Sequence, residues 1–226
     1  MKYDYFLLDV DDTLLDFGAG MKAAFREAFE QSGILYEEQY LPAFDEINNT
    51  LWRQLERGEI KLSDLLVRRF ALLRERFGLP FDPPEFNALF LGQLAENCVL
   101  MLGAQELCAA LCRKGKLYLI SNATVAAQRP KLRKSGLLPY ISGVFLSEEV
   151  GAAKPDKVFF EHVFAAAGIP DKRRAIVLGD SLSSDMRGAR DYGVPCCWFC
   201  RDENMPDTPG LYDFRVSRLI DFLELI

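Results

Sequence analysis

Short apolar runs that stop at an acidic or small residue recur along the chain. They are Tyr5–Leu8 before Asp9, Leu117–Ile120 before Ser121, Val144–Leu146 before Ser147, and Ala175–Leu178 before Gly179-Asp180. Uninterrupted apolar runs of this length are typical of strands in a parallel sheet that is covered on both faces. Helical patterns that end near a glycine lie at 104–114, 125–135, 157–167 and 184–192. The alternation predicts a doubly wound α/β sheet of the Rossmann-like class.

One connection is too long for an ordinary crossover between parallel strands. About a hundred residues separate the first apolar run from the second, where a few tens suffice. Apolar residues repeat there at helical spacing, as in Phe25/Ala28/Phe29, Phe44/Ile47/Leu51, Leu62/Leu65/Leu66 and Phe86/Leu89/Phe90. We therefore expect a core built from residues 1–16 and 91–226, and a helical cap domain formed by residues 17–90.

Composition and charge exclude several classes of function. Acidic residues outnumber basic ones, 33 to 27, which disfavours a nucleic acid polymer as partner. Acidic residues from Asp9 onward interrupt the first apolar run, so we predict neither a signal peptide nor a membrane span, and a cytoplasmic protein. We interpret the six cysteines as reduced thiols, because the group at 196–200 lies in a further apolar, strand-like run (Cys197-Trp198-Phe199) and has no second ligand pair at zinc spacing.

Three aspartates follow the first predicted strand in the segment Asp9-Val10-Asp11-Asp12-Thr13, and the pair Asp9 and Asp11 is spaced two residues apart. Ligands of open α/β sheets bind at the carboxyl ends of the strands. Residues two apart in an extended segment point to the same side, so Asp9 and Asp11 can act on one substrate. One carboxylate can attack phosphorus while the other handles the proton of the leaving oxygen. A turn-forming role would also account for this segment taken alone.

A second acidic cluster, Gly179-Asp180-Ser181-Leu182-Ser183-Ser184-Asp185, follows the fourth apolar run. Further carboxylates at the same sheet edge would repel the first pair unless a cation lay among them. A site with few carboxylates, in which water molecules supply the remaining ligands, suits Mg²⁺. The sequence therefore predicts Mg²⁺ as the cofactor.

Two further strand ends offer groups that bind phosphate oxygens. Ser121 and Asn122 follow the second run, and Lys154 precedes a predicted helix. Taken singly, Ser121 is typical of a capping residue, and Lys154 is typical of a charged residue on the surface. Taken together with the two acidic clusters, they favour a site for a small phosphorylated metabolite.

These segments resemble the haloacid dehalogenase-like hydrolase superfamily, whose four motifs occur in order along the chain. The matching segments are Asp9-x-Asp11-x-Thr13, Ser121-Asn122, Lys154-Pro155 and Gly179-Asp180-x-x-x-x-Asp185. The resemblance implies that Asp9 is the nucleophile and Asp11 the general acid and base. It also implies that Asp9 and the backbone carbonyl of Asp11 bind the metal. Asp12 departs from the family pattern, which usually has glycine there.

The same resemblance implies roles for the later motifs. Ser121, Asn122 and Lys154 would bind phosphate, and Lys154 would also orient the nucleophile. Asp180 would bind the metal with support from Asp185. The carboxylate pair at 180 and 185, together with Asp11, argues against a dehalogenase, which needs neither a metal nor a proton donor.

The cap segment Leu51–Ile60, with Arg68-Arg69-Phe70, resembles the branch that contains pyrimidine nucleotide 5′-phosphatases. Trp52 could stack on a base, although an aromatic residue at helical spacing with Leu51 and Leu55 is also typical of cap core. We expect a phosphomonoester hydrolase that forms an aspartyl-phosphate and acts on nucleoside 5′-monophosphates of pyrimidines, non-standard ones included. We also expect a monomer or weak homodimer. The alternatives are a phosphatase of a phosphosugar or other metabolite, a phosphosugar mutase, and a phospho-accepting signalling module.

Overall fold

The computed structural model describes residues 2–226, so that residue 1 of the predicted core segment 1–16 lies outside the described residues. The chain divides into two compact units. One unit contains residues 2–16, 99–125 and 135–226, and the other contains residues 17–98 and 126–134. The predicted boundary at residue 90 falls inside a helix that continues to Glu96.

The first unit is built on a six-stranded sheet in which every described pairing is parallel. The strands are β1 (Tyr5–Leu8), β2 (Lys116–Ser121), β3 (Gly143–Leu146), β4 (Ala175–Gly179), β5 (Cys196–Phe199) and β6 (Phe214–Val216). Their order across the sheet is β3-β2-β1-β4-β5-β6. The chain therefore switches direction beside β1, which is where open sheets of this kind bind ligands. The doubly wound α/β prediction is confirmed.

The central strand shows why uninterrupted apolar runs mark this sheet. Phe6, Leu7 and Leu8 of β1 are all fully buried, although adjacent residues point to opposite faces. On one face, Leu7 and Val177 pack in a cluster with Phe160. Strand β6 was missed by sequence reasoning, because it is three residues long and has Arg215 at its centre.

Five helices connect the strands of this unit: α5 (Ala104–Leu111), α6 (Val125–Ser135), α7 (Ser147–Val150), α8 (Lys157–Ala167) and α9 (Arg187–Tyr192). Gly168 and Gly193 end α8 and α9 in the left-handed conformation, as the glycine pattern predicts. Gly115 has a different role, because α5 already ends at Leu111. A Cβ at Gly115 would lie 2.2 Å from the carbonyl oxygen of Asp4, so glycine allows a close approach of two chain segments.

The second unit is helical and contains α1 (Phe17–Ser32), α2 (Tyr40–Glu56), α3 (Leu62–Phe77) and α4 (Pro83–Glu96). Residues 126–134 of α6 group with these helices. The interior is aromatic: the rings of Phe44 and Phe70 stack 5.1 Å apart, and Phe81 stacks on Phe86 at 4.2 Å. Among the helices of residues 2–226, none is both long and apolar enough to cross a membrane.

Candidate active site

Asp9 follows β1 and continues the sheet by one hydrogen bond, from its backbone N–H to the carbonyl of Leu178 at 2.9 Å. The chain then turns sharply at Asp12, whose φ is 61°. This left-handed conformation explains the family preference for glycine here, and aspartate is among the few other residues that tolerate it. The turn is closed by the N–H of Asp12, which donates to the carbonyl of Leu15 at 2.7 Å.

Lys154 is the centre of the buried polar cluster at the strand ends, and 1% of its surface is exposed. Its Nζ lies 2.6 Å from Oδ1 of Asp9 and 2.6 Å from Oδ1 of Asp185. It also donates to the carbonyl of Ile120, at the end of β2, at 3.1 Å. The lysine therefore links strand β2 to the residues that follow β1 and β4.

Asn122 holds the main chain of Lys154 through both ends of its amide. Its Nδ2 donates to the carbonyl of Lys154 at 2.7 Å, and the N–H of Lys154 donates to its Oδ1 at 2.8 Å. Sequence reasoning gave Asn122 only a role in binding phosphate, which stays a prediction. The contact with Lys154 was missed, because nothing in the local sequence links these two segments.

Asp180 and Asp185 follow β4 on a loop and a π-helical turn at Leu182–Met186. The backbone N–H of Ser181 donates to Oδ2 of Asp185 at 3.2 Å. A Cβ at Gly179 would lie 2.4 Å from the carboxylate of Asp185, so only glycine leaves room for this side chain. The steric requirement at this position thus explains the glycine of the fourth motif.

One oxygen from each of Asp9, Asp180 and Asp185 lies within 4.8 Å of the others. Within the described chain, this is the group of side chains with the spacing of a metal site. Three carboxylates at strand ends form the oxygen-only donor set that Mg²⁺ prefers. The residues present therefore fit the cation that the sequence predicts. Asp11 is partly exposed, and its side chain is not in this group.

Burial and mutual repulsion perturb the cluster strongly. Burial raises the pKa of Asp9 to about 7; Lys154 opposes this rise, and Asp185 and Asp11 add to it. Burial, reinforced by Asp9 and Asp185, raises the pKa of Asp180 well above its usual 3.8. Burial lowers the pKa of Lys154, but the carboxylates of Asp185 and Asp9 outweigh this and raise it above its usual range. The cluster therefore carries more acid than one lysine neutralises, which is typical of a cation site.

Thr13 was named in the first motif without a role, and the structure supplies one. Its buried hydroxyl lies 2.9 Å from Oδ2 of Asp9 and 3.3 Å from Oδ1 of Asp180. Its fixed place four residues after Asp9 was the signal that could have identified it. Ser121 is buried at the end of β2, in register with Leu146 of β3.

Trp52 lies on α2 of the helical unit and is partly buried. The structure shows no aromatic partner or hydrogen bond for its indole among residues 2–226. Its role in stacking on a base stays a prediction, as does its alternative role in the cap core.

Fold and site together define an α/β enzyme with a lysine and a carboxylate cluster at the ends of the central strands. The profile of the haloacid dehalogenase-like hydrolase family matches residues 3–193. The chain therefore belongs to that family and is one of its enzymes.

Curated relatives and a solved structure agree with this membership. HAD-hydrolase YfnB of Bacillus subtilis is 32% identical over 216 residues, which cover 95% of this chain and 92% of that protein. Pyrimidine 5′-nucleotidase PynA of Streptococcus pneumoniae is 31% identical and covers 88% of this chain and 84% of its own. Pyrimidine 5′-nucleotidase YjjG of Escherichia coli is 31% identical, with 88% and 86% covered. The magnesium-bound crystal structure of YfnB superposes with a TM-score of 0.92 at 30% identity, over 100% of this chain and 99% of that one.

Proposed function

We propose that this protein is a Mg²⁺-dependent phosphatase that forms a transient aspartyl-phosphate on Asp9 and acts on nucleoside 5′-monophosphates, in particular those of pyrimidines. The observation that carries the proposal is the position of the Asp9 carboxylate. Oδ1 is held by Lys154 at 2.6 Å and Oδ2 by Thr13 at 2.9 Å, beside two further carboxylates. A nucleophile held at both oxygens is oriented before the substrate arrives.

The first half-reaction transfers the phosphoryl group to Asp9. A carboxylate oxygen of Asp9 attacks phosphorus, and the bond from phosphorus to the ester oxygen breaks. Asp11, two residues further on, gives its proton to the leaving oxygen. Lys154 and Ser121 stabilise the charge on the phosphoryl oxygens.

The second half-reaction returns Asp9 to its starting state. Asp11, now ionised, takes a proton from water, and the resulting oxygen attacks phosphorus. Inorganic phosphate leaves, and the carboxylate of Asp9 is restored. When bound by Asp9, Asp180 and Asp185, Mg²⁺ neutralises their mutual repulsion and polarises the phosphoryl group. Since the ionised form of Asp9 is the nucleophile and burial raises its pKa, this neutralisation would increase the ionised fraction of Asp9.

The substrate part of the proposal is supported by two relatives that carry the name pyrimidine 5′-nucleotidase, each covering 88% of this chain. Trp52 in the helical unit supplies an aromatic face on which a base could stack. The magnesium in the YfnB structure supports the choice of cation.

The chemistry is tested with p-nitrophenyl phosphate and purified protein. We expect turnover that excess EDTA abolishes and Mg²⁺ restores, with Ca²⁺ a poor replacement because of its larger and more flexible coordination. Asp9→Asn should lower kcat by at least about 10⁴-fold while the circular dichroism spectrum stays unchanged. Substantial hydrolysis by folded Asp9→Asn protein would rule out the covalent mechanism.

The substrate is tested by comparing kcat/KM for UMP, CMP, dUMP and dTMP with the values for purine nucleotides and hexose phosphates. Pyrimidine nucleotides should be the best substrates. Trp52→Leu should reduce kcat/KM for the nucleotides by about 5- to 150-fold, the value of base stacking, and leave p-nitrophenyl phosphate hydrolysis nearly unchanged. A preference for hexose phosphates would overturn the substrate assignment and leave the phosphatase chemistry intact.

A further inference from the structure

Trp198 connects β5 to the loop that carries Asp180. The residue lies next to Gly179 in the register of β4 and β5, and 3% of its surface is exposed. Its indole Nε1–H donates to the main-chain carbonyl of Asp180 at 2.7 Å. This short bond joins a buried aromatic side chain to the residue whose carboxylate belongs to the acidic group.

Asp180 differs from the other two carboxylates in how it is held. Lys154 bonds to Asp9 and to Asp185, each at 2.6 Å, whereas the structure gives it no bond to Asp180. The hydroxyl of Thr13 reaches Asp180 at 3.3 Å, near the limit for a hydrogen bond. Oxygens of all three carboxylates nevertheless lie within 4.8 Å. Repulsion among the three carboxylates would displace the one that is least restrained, which is Asp180. Its position therefore needs support through its main chain.

Trp198 is itself fixed well enough to provide that support. Tyr212 packs against its ring at a centroid distance of 5.2 Å, and the guanidinium of Arg215 lies 4.8 Å from the ring centre. Arg215 in turn donates to Asp207 and to the carbonyl of Asp202, both at 2.9 Å. The indole is therefore fixed on one side by its hydrogen bond to Asp180, which follows β4. On the other side it contacts Tyr212, just before β6, and Arg215 within β6.

We propose that Trp198 is a positioning residue of the metal site, whose indole N–H holds the main chain of Asp180 so that its carboxylate can share a divalent cation with Asp9 and Asp185. The inference rests on the proposed function, because it requires this site to bind Mg²⁺. Residues that orient metal ligands typically contribute to metal affinity without touching the metal.

The test is the binding of Mg²⁺ to Trp198→Phe protein, measured by isothermal titration calorimetry. Phenylalanine keeps an aromatic ring for Tyr212 and Arg215 but removes the N–H. The Kd for Mg²⁺ should rise by about 2- to 12-fold, the value of one hydrogen bond. The kcat at saturating Mg²⁺ should stay within about twofold of wild type, since the bond acts on metal occupancy.

Tyr118→Phe is the matched control. It removes another bond from an aromatic side chain to a main-chain carbonyl, from the Tyr118 hydroxyl to Ala167 at 3.3 Å, in the same unit. This variant should bind Mg²⁺ with the wild-type Kd. Wild-type Mg²⁺ affinity in folded Trp198→Phe protein would overturn the inference and leave the proposed function standing. Failure of the wild-type protein to bind Mg²⁺ would overturn both.

A second measurement does not depend on the folding of Trp198→Phe. The chain has two tryptophans, so in Trp52→Phe protein the fluorescence reports on Trp198 alone. Addition of Mg²⁺ should shift this emission, with saturation at the concentration found by calorimetry, and Asp180→Asn should abolish the response. An emission unchanged by Mg²⁺ that calorimetry shows to be bound would contradict the coupling.

Discussion

Both units of the molecule bury a long cationic side chain, and two of these, Lys154 and Arg69, are held in opposite ways. Lys154 of the α/β unit contacts the carboxylates of Asp9 and Asp185. Arg69 of the helical unit is 2% exposed and donates to two neutral amides, Oδ1 of Asn48 at 3.3 Å and Oδ1 of Asn87 at 2.6 Å. No carboxylate of residues 2–226 forms an ion pair with Arg69.

Aromatic rings complete the surroundings of Arg69. Its guanidinium lies 5.1 Å from the ring centre of Phe90, 5.2 Å from that of Phe70 and 5.8 Å from that of Phe44. Burial lowers the pKa of Arg69, but a guanidinium remains protonated in proteins. Its positive charge is thus stabilised by amide oxygens and ring faces rather than by an opposite charge.

The different surroundings of Lys154 and Arg69 indicate different roles for the two positive charges. In the proposed mechanism, the compensated charges of the α/β unit surround Asp9, which must be ionised to react, whereas the weakly compensated charge of Arg69 lies in an aromatic interior. We expect replacement of Lys154 to affect catalysis most, and replacement of Arg69 to affect stability most.

The largest effect is expected for Lys154→Met, which removes the cation and keeps a flexible apolar chain. The kcat/KM for p-nitrophenyl phosphate should fall by about 10²- to 10³-fold, since Asp9 loses its orienting partner and the transferred group loses a stabilising charge. Lys157→Met is the control, because Lys157 forms an exposed ion pair with Glu161 that contributes little. If Lys154→Met kept wild-type activity, Lys154 would be a structural cation like Arg69.

Arg69→Ala should have the next largest effect, on stability. The variant loses two hydrogen bonds and the ring contacts, and leaves the amides of Asn48 and Asn87 without their donor. The free energy of unfolding should fall by about 3 kcal/mol in denaturant titrations. The neighbouring residue provides the control: Arg68 is exposed, and Arg68→Ala should change stability by less than about 0.5 kcal/mol.

Activity completes this test of the helical unit. Folded Arg69→Ala protein should retain kcat for p-nitrophenyl phosphate within about threefold, because Arg69 lies outside the acidic cluster. If Arg69→Ala protein had wild-type stability and a large loss of kcat, Arg69 would act in catalysis and not in stability, contrary to this prediction.

The smallest effect is a pH dependence of stability in the metal-free protein. An aspartate titrates near 3.8 in its usual state, whereas the pKa of Asp9 is raised to about 7 in the fold. Between these values the folded state holds a proton that the unfolded state has lost, so this stabilisation disappears as pH rises through 7. With EDTA present, the free energy of unfolding should fall by about 2 kcal/mol from pH 5 to pH 8.

Asparagine at position 9 cannot ionise, so Asp9→Asn should reduce this slope, and the raised pKa of Asp180 should leave part of it. Excess Mg²⁺ should also flatten it in the wild-type protein, because the cation favours the ionised carboxylate. A metal-free wild-type protein whose stability is constant over this range would show that Lys154 fully compensates Asp9.

Local pattern determined the elements and the order of the motifs. Apolar runs marked five of the six strands, and helical periodicity marked the four helices of the second unit. These signals can be recognised locally, because a strand buried on both faces is a continuous apolar run and a helix buried on one face has apolar residues at a spacing of about 3.6. The motif with Asp9 and the motif with Asp180 could be placed at strand ends for the same reason.

Contacts between distant segments were decided only by the tertiary structure. Lys154 and Asp9 are 145 positions apart, Thr13 and Asp180 are 167 apart, and the bond from Trp198 to Asp180 crosses between neighbouring strands. Which residues meet there depends on strand order and register, which no local period encodes. The same holds for Asn48 and Asn87 around Arg69: each occupies a buried helix position, and only packing of three helices brings them together.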